Sequence, residues 1–89
     1  MRWKIEFLPE AEKELEALDR HAARGILKLL KEKIEGADNP RYIGEPLRGP
    51  EFGKYWRYRV GDYRIVVSIS DASITIVIVR IGHRKKVYK

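Results

Sequence analysis

Hydrophobic and polar residues alternate at the start of the chain and then change to a helical period. Every second residue is apolar over residues 2–7, the pattern of a half-buried strand. Pro9 suits the first turn of a helix, and apolar residues follow it at helical spacing behind a cluster of glutamates. A second amphipathic helix is predicted from about His21 to Glu35, with Gly36 as its C-terminal stop. The short joint between them predicts an antiparallel helical hairpin.

The second half of the chain has the pattern of an antiparallel sheet. Residues 37–53 carry three prolines and three glycines, which predicts a loop. Three strands are predicted at residues 54–60, 63–70 and 73–81, with a tight turn at residues 61–62. The last strand is apolar on both faces and is therefore expected inside the sheet. The prediction is an α+β fold: an N-terminal strand, a helical hairpin and a three-stranded antiparallel meander in one sheet, forming a single domain over residues 1–89.

The two faces of this sheet are predicted from strand parity. Trp56, Tyr58 and Val60 share one face with Tyr63 and Ile65, and this face should pack on the helices. The other face carries three arginines together with a tyrosine, a valine and two serines: Tyr55, Arg57, Arg59, Arg64, Val66, Ser68 and Ser70. A further arginine, at position 80, would face residue 64 only if the turn near residue 71 had three residues.

A two-residue turn would place Arg59 directly opposite Arg64. Like charges facing each other across two strands destabilise the pair. The cluster therefore needs an anion, which could be a carboxylate of this chain or a phosphate of a partner. We favour the partner.

Charge is confined to one half of the chain. Residues 1–36 hold eight basic and eight acidic residues, whereas residues 37–89 hold eleven and five, so the second half supplies the whole net charge of +6. This distribution suggests a surface that faces a polyanion. There is no cysteine, no apolar run long enough to span a membrane and no signal-peptide core. We expect a cytoplasmic protein that makes no membrane contact.

The chemistry available to the chain is narrow. It has no glycine-rich phosphate loop and no H-E-x-x-H motif, and two histidines alone cannot hold a metal. No metal site and no cofactor are predicted. Arginine, lysine and tyrosine side chains can stabilise the charge of a phosphorane and position a ribose 2′-hydroxyl. Cleavage of RNA by its own 2′-oxygen requires no metal, so this chemistry fits the residues present.

Three motifs in order give the chain a family resemblance. L-R-G at residues 47–49, Y-W-R-Y-R-V-G-D-Y-R at 55–64 and I-G-H-R-K-K-V-Y at 81–88 resemble the RelE/ParE superfamily of toxins from type II toxin–antitoxin systems, and the RelE branch more closely. The predicted order of elements matches as well. The resemblance implies a ribosome-dependent, metal-independent endoribonuclease, an mRNA interferase that stops translation.

The resemblance also implies site residues. Arg57, Arg64, Arg84 and Tyr88 occupy the positions of the catalytic residues, and the last three are expected to be exposed. The residues expected to contact RNA are Arg48, Lys54, Arg59, His83, Lys85 and Lys86. An arginine cannot easily accept a proton. The proton acceptor therefore stays open among His83, Lys85 and Lys86.

The implied partners are a small RelB-like antitoxin, mRNA on the ribosome and operator DNA bound through the antitoxin. Two alternatives remain open. One is a ParE-like inhibitor of DNA gyrase, which needs protein contact rather than RNA chemistry. The other is a non-catalytic relative that binds antitoxin and acts only in repression of its own operon.

Overall fold

The computed structural model describes residues 2–88 and contains two helices and five strands. In chain order the elements are β1 (Lys4–Phe7), α1 (Pro9–Ala17), α2 (Arg20–Leu29), a π-helical turn (Leu30–Ile34), a 3₁₀ turn (Pro40–Ile43), β2 (Glu45–Pro46), β3 (Trp56–Val60), β4 (Tyr63–Ser70) and β5 (Thr75–His83). None of the helices in this part of the chain is both long and apolar enough to cross a membrane.

The strands form one sheet in the order β1-β5-β4-β3-β2. β1 runs parallel to β5, and every other pair is antiparallel. The predicted α+β fold is confirmed, including the helical hairpin and the inner position of β5. Asp19 starts α2 as its N-cap, because its side chain accepts a hydrogen bond of 2.8 Å from the Ala22 amide.

The loop prediction for residues 37–53 is wrong in part, since this segment contains the 3₁₀ turn and the edge strand β2. Gly44 lets β2 approach β3 closely: a Cβ there would lie 2.7 Å from the Arg57 carbonyl oxygen. A two-residue strand has no periodicity of its own, so the sequence pattern cannot reveal it.

The β4–β5 connection also differs from the prediction. It is a four-residue turn, so β5 begins at Thr75 and ends at His83. Ile74 adopts a positive φ of 50° in this turn, which is strained for a β-branched residue. A β-bulge opposite Val66 and Val67 shifts the register, and Arg80 pairs with Val66 instead of reaching the position opposite Arg64. Neither turn length considered from the sequence gives this register.

The helices and one face of the sheet enclose the core. Ile26 and Ile34 of the second helical segment are fully buried against Tyr58, Ile65 and their neighbours. The Tyr58 hydroxyl donates a 2.9 Å hydrogen bond to the Pro40 carbonyl oxygen. Burial raises the pKa of this tyrosine to about 12. The predicted assignment of residues to the helix-facing side is confirmed.

The other face of the sheet is covered at one end by the C-terminal segment, residues 84–88. Val87 is buried, and a Cβ on Gly82 would lie 3.3 Å from the Val87 Cβ. The segment therefore folds back onto the strand that precedes it. Val66, which strand parity places on this face, is 1 % exposed. The arginine side of the sheet is thus partly enclosed rather than open.

Candidate functional site

The β3–β4 hairpin positions the arginine cluster. Gly61 has a φ of 57°, which a two-residue hairpin turn requires and which glycine adopts without strain. Arg59 pairs directly with Arg64, as predicted from the turn length. Arg57 lies two residues before Arg59 and so on the same face. The two-residue turn therefore brings three cations to one surface.

Arg64 is the unusual member of this cluster because it is buried. Its relative exposure is 6 %, and one guanidinium nitrogen donates to the carbonyl oxygens of Gly61 at 3.0 Å and Tyr63 at 2.9 Å. No carboxylate of residues 2–88 lies within 4.0 Å of its guanidinium. Burial, followed by the charge of Arg59, lowers its pKa. A desolvated cation that lacks a carboxylate is costly, and this points to a functional role.

Glu45 on β2 supplies the anion for the other two arginines. Its carboxylate accepts a hydrogen bond from the Arg57 guanidinium and lies 3.8 Å from that of Arg59. The bond from Arg57 lowers the pKa of Glu45. Our interpretation that the counter-anion comes from a partner is therefore wrong for Arg57 and Arg59. The error follows from missing β2, which carries Glu45 to a position opposite Arg57.

Within residues 2–88 two buried polar atoms beside this cluster form no hydrogen bond of full geometry: the Tyr88 hydroxyl and the Arg57 Nε. The hydrogen bond to Glu45, followed by the hydrogen-bonding interaction of the Arg57 guanidinium with the Tyr88 hydroxyl, raises the pKa of Arg57, so the Arg57 and Tyr88 side chains lie close enough to interact. The Tyr88 ring packs edge-on against Phe52, with ring centroids 5.9 Å apart. Unsatisfied buried polar atoms are rare in folded proteins. Their presence here marks a place where a ligand could form the missing bonds.

The C-terminal segment is anchored to the hairpin turn at its first residue. The Arg84 amide donates a 2.7 Å hydrogen bond to the Asp62 carbonyl oxygen, and the Arg84 Nε lies 3.6 Å from the Asp62 carboxylate. Of the three catalytic candidates expected to be exposed, only Arg84 is. The expectation is wrong for Arg64 and Tyr88 because the segment folds over the sheet, which strand parity alone cannot predict.

The residues expected to contact RNA lie in several places. Arg48 shares one open groove with Glu45 and Arg57. Lys54 is exposed, with its Nζ 5.4 Å from the centre of the Tyr55 ring. Arg59, Lys85 and Lys86 are exposed as well.

His83 is separated from the arginine cluster. It pairs with Tyr63, whose side chain faces the helices, and the two rings meet edge-on at 5.9 Å. The His83 Nδ1 accepts a hydrogen bond of 3.2 Å from the Lys85 amide. The structure therefore does not bring His83 to the arginines, whereas it does bring Glu45 there. Within residues 2–88 there is also no group of three or more His, Asp or Glu side chains placed to hold a metal ion.

A buried arginine, an Arg–Glu pair and Tyr88 thus lie together on one face of a small α+β domain. The sequence model of the ParE toxin of type II toxin–antitoxin systems, parDE, matches residues 5–88. The chain therefore belongs to this family of toxins, within the RelE/ParE superfamily predicted from its motifs. An Escherichia coli protein named "Putative RelE-like toxin protein" is 29 % identical over 86 residues, which are 97 % of this chain and 87 % of that protein.

Solved structures give the same fold. The toxin–antitoxin complex RelBE2 from Mycobacterium tuberculosis contains a chain with a TM-score of 0.83 and 26 % identity, covering 94 % of this chain and 100 % of that one. The isolated E. coli RelE toxin matches with a TM-score of 0.71 and 20 % identity, covering 91 % of this chain and 83 % of that one. An archaeal RelE–RelB complex from Pyrococcus horikoshii matches with a TM-score of 0.72 and 23 % identity, covering 97 % and 99 %.

Proposed function

We propose that this toxin is a metal-independent endoribonuclease that cuts mRNA on the ribosome. The observation that carries the proposal is the buried Arg64 guanidinium, which has no carboxylate of residues 2–88 within 4.0 Å and lies near the buried hydroxyl of Tyr88. A phosphodiester bound there would supply both an anion for the arginine and an acceptor for the hydroxyl. Positioned cations that meet developing charge are the largest single contribution to many enzymatic rates.

The reaction proceeds by attack of the ribose 2′-oxygen on the adjacent phosphorus. Glu45 takes the 2′-hydroxyl proton, since its lowered pKa keeps it ionised and its carboxylate already contacts Arg57. Arg57 and Arg64 stabilise the phosphorane, joined by Arg84 when it leaves Asp62. The bond from phosphorus to the 5′-oxygen then breaks, and the Tyr88 hydroxyl donates a proton to that oxygen. The products are a 2′,3′-cyclic phosphate and a free 5′-hydroxyl.

Glu45 replaces the earlier candidates for the proton acceptor. His83 lies on the helix-facing side of β5, and Lys85 and Lys86 are exposed on the C-terminal segment. Arg48, in the groove beside Glu45, and the exposed Lys54, Arg59, Lys85 and Lys86 bind the phosphates on either side of the cut. His83 would contact RNA at the end of β5, away from the reacting atoms.

The rate depends on the ribosome, because a carboxylate with a lowered pKa is a weak base. Correct placement of the 2′-hydroxyl must then supply much of the rate. We therefore place the toxin in the cytoplasm, where translated mRNA is the substrate. Purified toxin is expected to cut ribosome-bound mRNA much faster than free RNA.

A RelB-like antitoxin is the proposed inhibitor. The matching structure from M. tuberculosis is a toxin–antitoxin complex, and the matching chain in it is 26 % identical in sequence to this chain. An acidic side chain or a helix C-terminus of the antitoxin would offset the arginine cluster. The complex would also bind operator DNA through the antitoxin and repress its own operon.

A second candidate function is inhibition of DNA gyrase. The observation that favours it is the match of residues 5–88 to the ParE family. Under this alternative the arginine face is a protein-binding surface, and loss of a single proton acceptor would leave toxicity intact. A non-catalytic relative that only binds antitoxin would show no toxicity at all.

One experiment separates these functions. Induced expression should leave cuts within translated messages, with 2′,3′-cyclic phosphate ends, and Glu45→Gln should abolish them. The matched control is Glu51→Gln, which changes an exposed glutamate in the neighbouring loop and should cut normally. Stalled gyrase cleavage complexes without mRNA cuts would refute the ribonuclease proposal. Rapid cleavage of naked RNA would refute ribosome dependence alone.

A further inference from the structure

Glu14 on α1 is a partly buried carboxylate that contacts β5, far along the chain from its own helix. Its side chain is 28 % exposed. It accepts a 2.9 Å hydrogen bond from the Ile81 amide, and it pairs with the Arg80 Nε at 3.1 and 3.3 Å. The other glutamates of α1 are exposed, so Glu14 does not belong to a solvated helical face.

The Ile81 amide needs this carboxylate because β1 ends too early to pair with it. The last backbone hydrogen bond on that side of β5 runs from the Leu8 amide to the Ile78 carbonyl oxygen, and α1 begins at Pro9. Beyond this point no strand of residues 2–88 pairs with the outer side of β5. Glu14 therefore provides the acceptor that a longer β1 would have provided.

Glu14 binds β5 just after its bulge, and this bulge decides which residues face the arginine cluster. Before the bulge Val67 pairs with Ile78, whereas after it Arg64 pairs with Gly82. If the first register continued, Ile81 would lie opposite Arg64 and Arg80 would lie opposite a core residue. With the bulge Arg80 instead lies opposite Val66, and its guanidinium reaches Glu14 at the edge of β5.

Gly82 opposite Arg64 is what allows the C-terminal segment to fold over the site. Any side chain at position 82 would meet Val87, since even a Cβ would lie 3.3 Å from the Val87 Cβ. Val87 in turn is followed by Tyr88, the tyrosine of the proposed reaction. The shifted register therefore determines how Tyr88 and Arg84 are placed relative to Arg64.

We infer that Glu14 is a positioning residue: by holding β5 in its shifted register, it places the C-terminal segment over Arg64. It touches neither substrate nor reacting atoms. Its effect on the rate rests on the proposed ribonuclease function, whereas its effect on the C-terminal segment does not.

Amide hydrogen exchange tests the inference without any assay of activity. Glu14→Ala should speed exchange of the Ile81, Arg84 and Val87 amides by about tenfold or more through local opening. The amides of Lys4 and Leu8, which bond to the carbonyl oxygens of Ile74 just before β5 and of Ile78 within it, should exchange as in wild type and so report that the fold is intact. Glu16→Ala is the matched control and should change none of them. Unchanged exchange at Arg84 and Val87 in Glu14→Ala would overturn the inference.

Kinetics with ribosome-bound mRNA then show whether positioning affects the rate. Glu14→Ala should lower kcat by about tenfold with little change in KM, because a misplaced Tyr88 impairs the chemical step more than binding. Glu14→Gln keeps an acceptor for the Ile81 amide and should restore most of kcat, and Arg80→Gln should resemble wild type. Equal damage from Glu14→Gln and Glu14→Ala would overturn the role of the amide bond. If wild type itself cuts nothing, the ribonuclease proposal fails while the exchange result stands.

Discussion

The two faces of the sheet are stabilised in different ways. On the helix-facing side Ile65, Val67 and Ile76 are completely buried, and the buried Tyr58 hydroxyl donates its hydrogen bond to the Pro40 carbonyl oxygen. On the other side a short C-terminal segment and a loop cover part of a cationic cluster. The first face is an ordinary core. The second holds charge that the rest of the chain does not fully neutralise.

The arginines show the same difference. Arg41 forms a bidentate pair with Asp71, at 3.1 and 2.7 Å, which raises the pKa of Arg41 and lowers that of Asp71. Arg64 is more deeply buried than Arg41 and has only carbonyl oxygens as partners. The ion pair with Asp71 explains the position of Arg41, which is therefore a structural residue. No carboxylate of residues 2–88 forms an ion pair with Arg64, and the more distant charge of Glu45 is shared with Arg57 and Arg59, so the position of Arg64 is best explained by an external anion.

The largest expected effect comes from removing the charge of Arg64. Arg64→Met keeps most of the apolar stem and should lower cleavage by about 10²–10³-fold, as loss of a group that stabilises the transition state does. The melting temperature should hold or rise, because a buried, unpaired charge is removed. Cleavage of ribosome-bound mRNA and thermal unfolding are the measurements. Arg41→Met is the control and should leave cleavage unchanged; equal losses in both variants would remove the contrast between the two arginines.

Tyr88→Phe should separate activity from stability. Within residues 2–88 the buried hydroxyl forms no hydrogen bond of full geometry and interacts only with the already paired Arg57, so its loss should change the free energy of unfolding by no more than about 1 kcal/mol. Cleavage should fall by about 10²-fold if the hydroxyl donates a proton to the leaving oxygen. Urea unfolding and single-turnover cleavage measure the two effects. A variant that is fully active would exclude Tyr88 from the reaction.

The titration of Tyr58 tests how fully water is excluded from the helix-facing side of the sheet. Its pKa is raised from 10.0 to about 12, so folding favours the protonated phenol. This contribution is complete below pH 10 and is lost as the pH rises through about 12, up to about 2–3 kcal/mol in total. Urea unfolding between pH 8 and 11 should show the start of this loss. Tyr58→Phe should lack it, after a loss of about 1 kcal/mol at neutral pH for the missing hydrogen bond.

The smallest effect is expected from Arg59→Gln. The change relieves repulsion from Arg64 but removes a weak pair with Glu45, so stability should stay within about 0.5 kcal/mol of wild type. Association with the antitoxin should slow and depend less on salt, since one cation of an exposed surface is lost. Stopped-flow association at several salt concentrations measures this. Clear destabilisation with an unchanged association rate would show that Arg59 stabilises the toxin itself and does not contribute to antitoxin binding.

Strong periodicity made the helix-facing side predictable. Alternation in residues 2–7, the helical stripes and the two-residue turn at Gly61 gave the α+β fold and the pairing of Arg59 with Arg64. The arginine face was less predictable. Glu45 lies on a two-residue strand and Glu14 acts across 66 residues of chain on Arg80, so no local pattern marks either of them.

The sequence by itself determined the local geometry of this protein, because side-chain period and turn length act between near neighbours in the chain. It placed three arginines on one surface and a tyrosine near the C-terminus. Only the tertiary structure decided which of these charges is neutralised, since burial and ion pairing depend on segments distant in sequence. Glu45 closes on Arg57 through the β2 pairing, and Val87 folds over Gly82 because the bulge changed the register of β5. As a result of that packing, Arg64 is buried with no carboxylate from the described part of the chain, residues 2–88, paired to it.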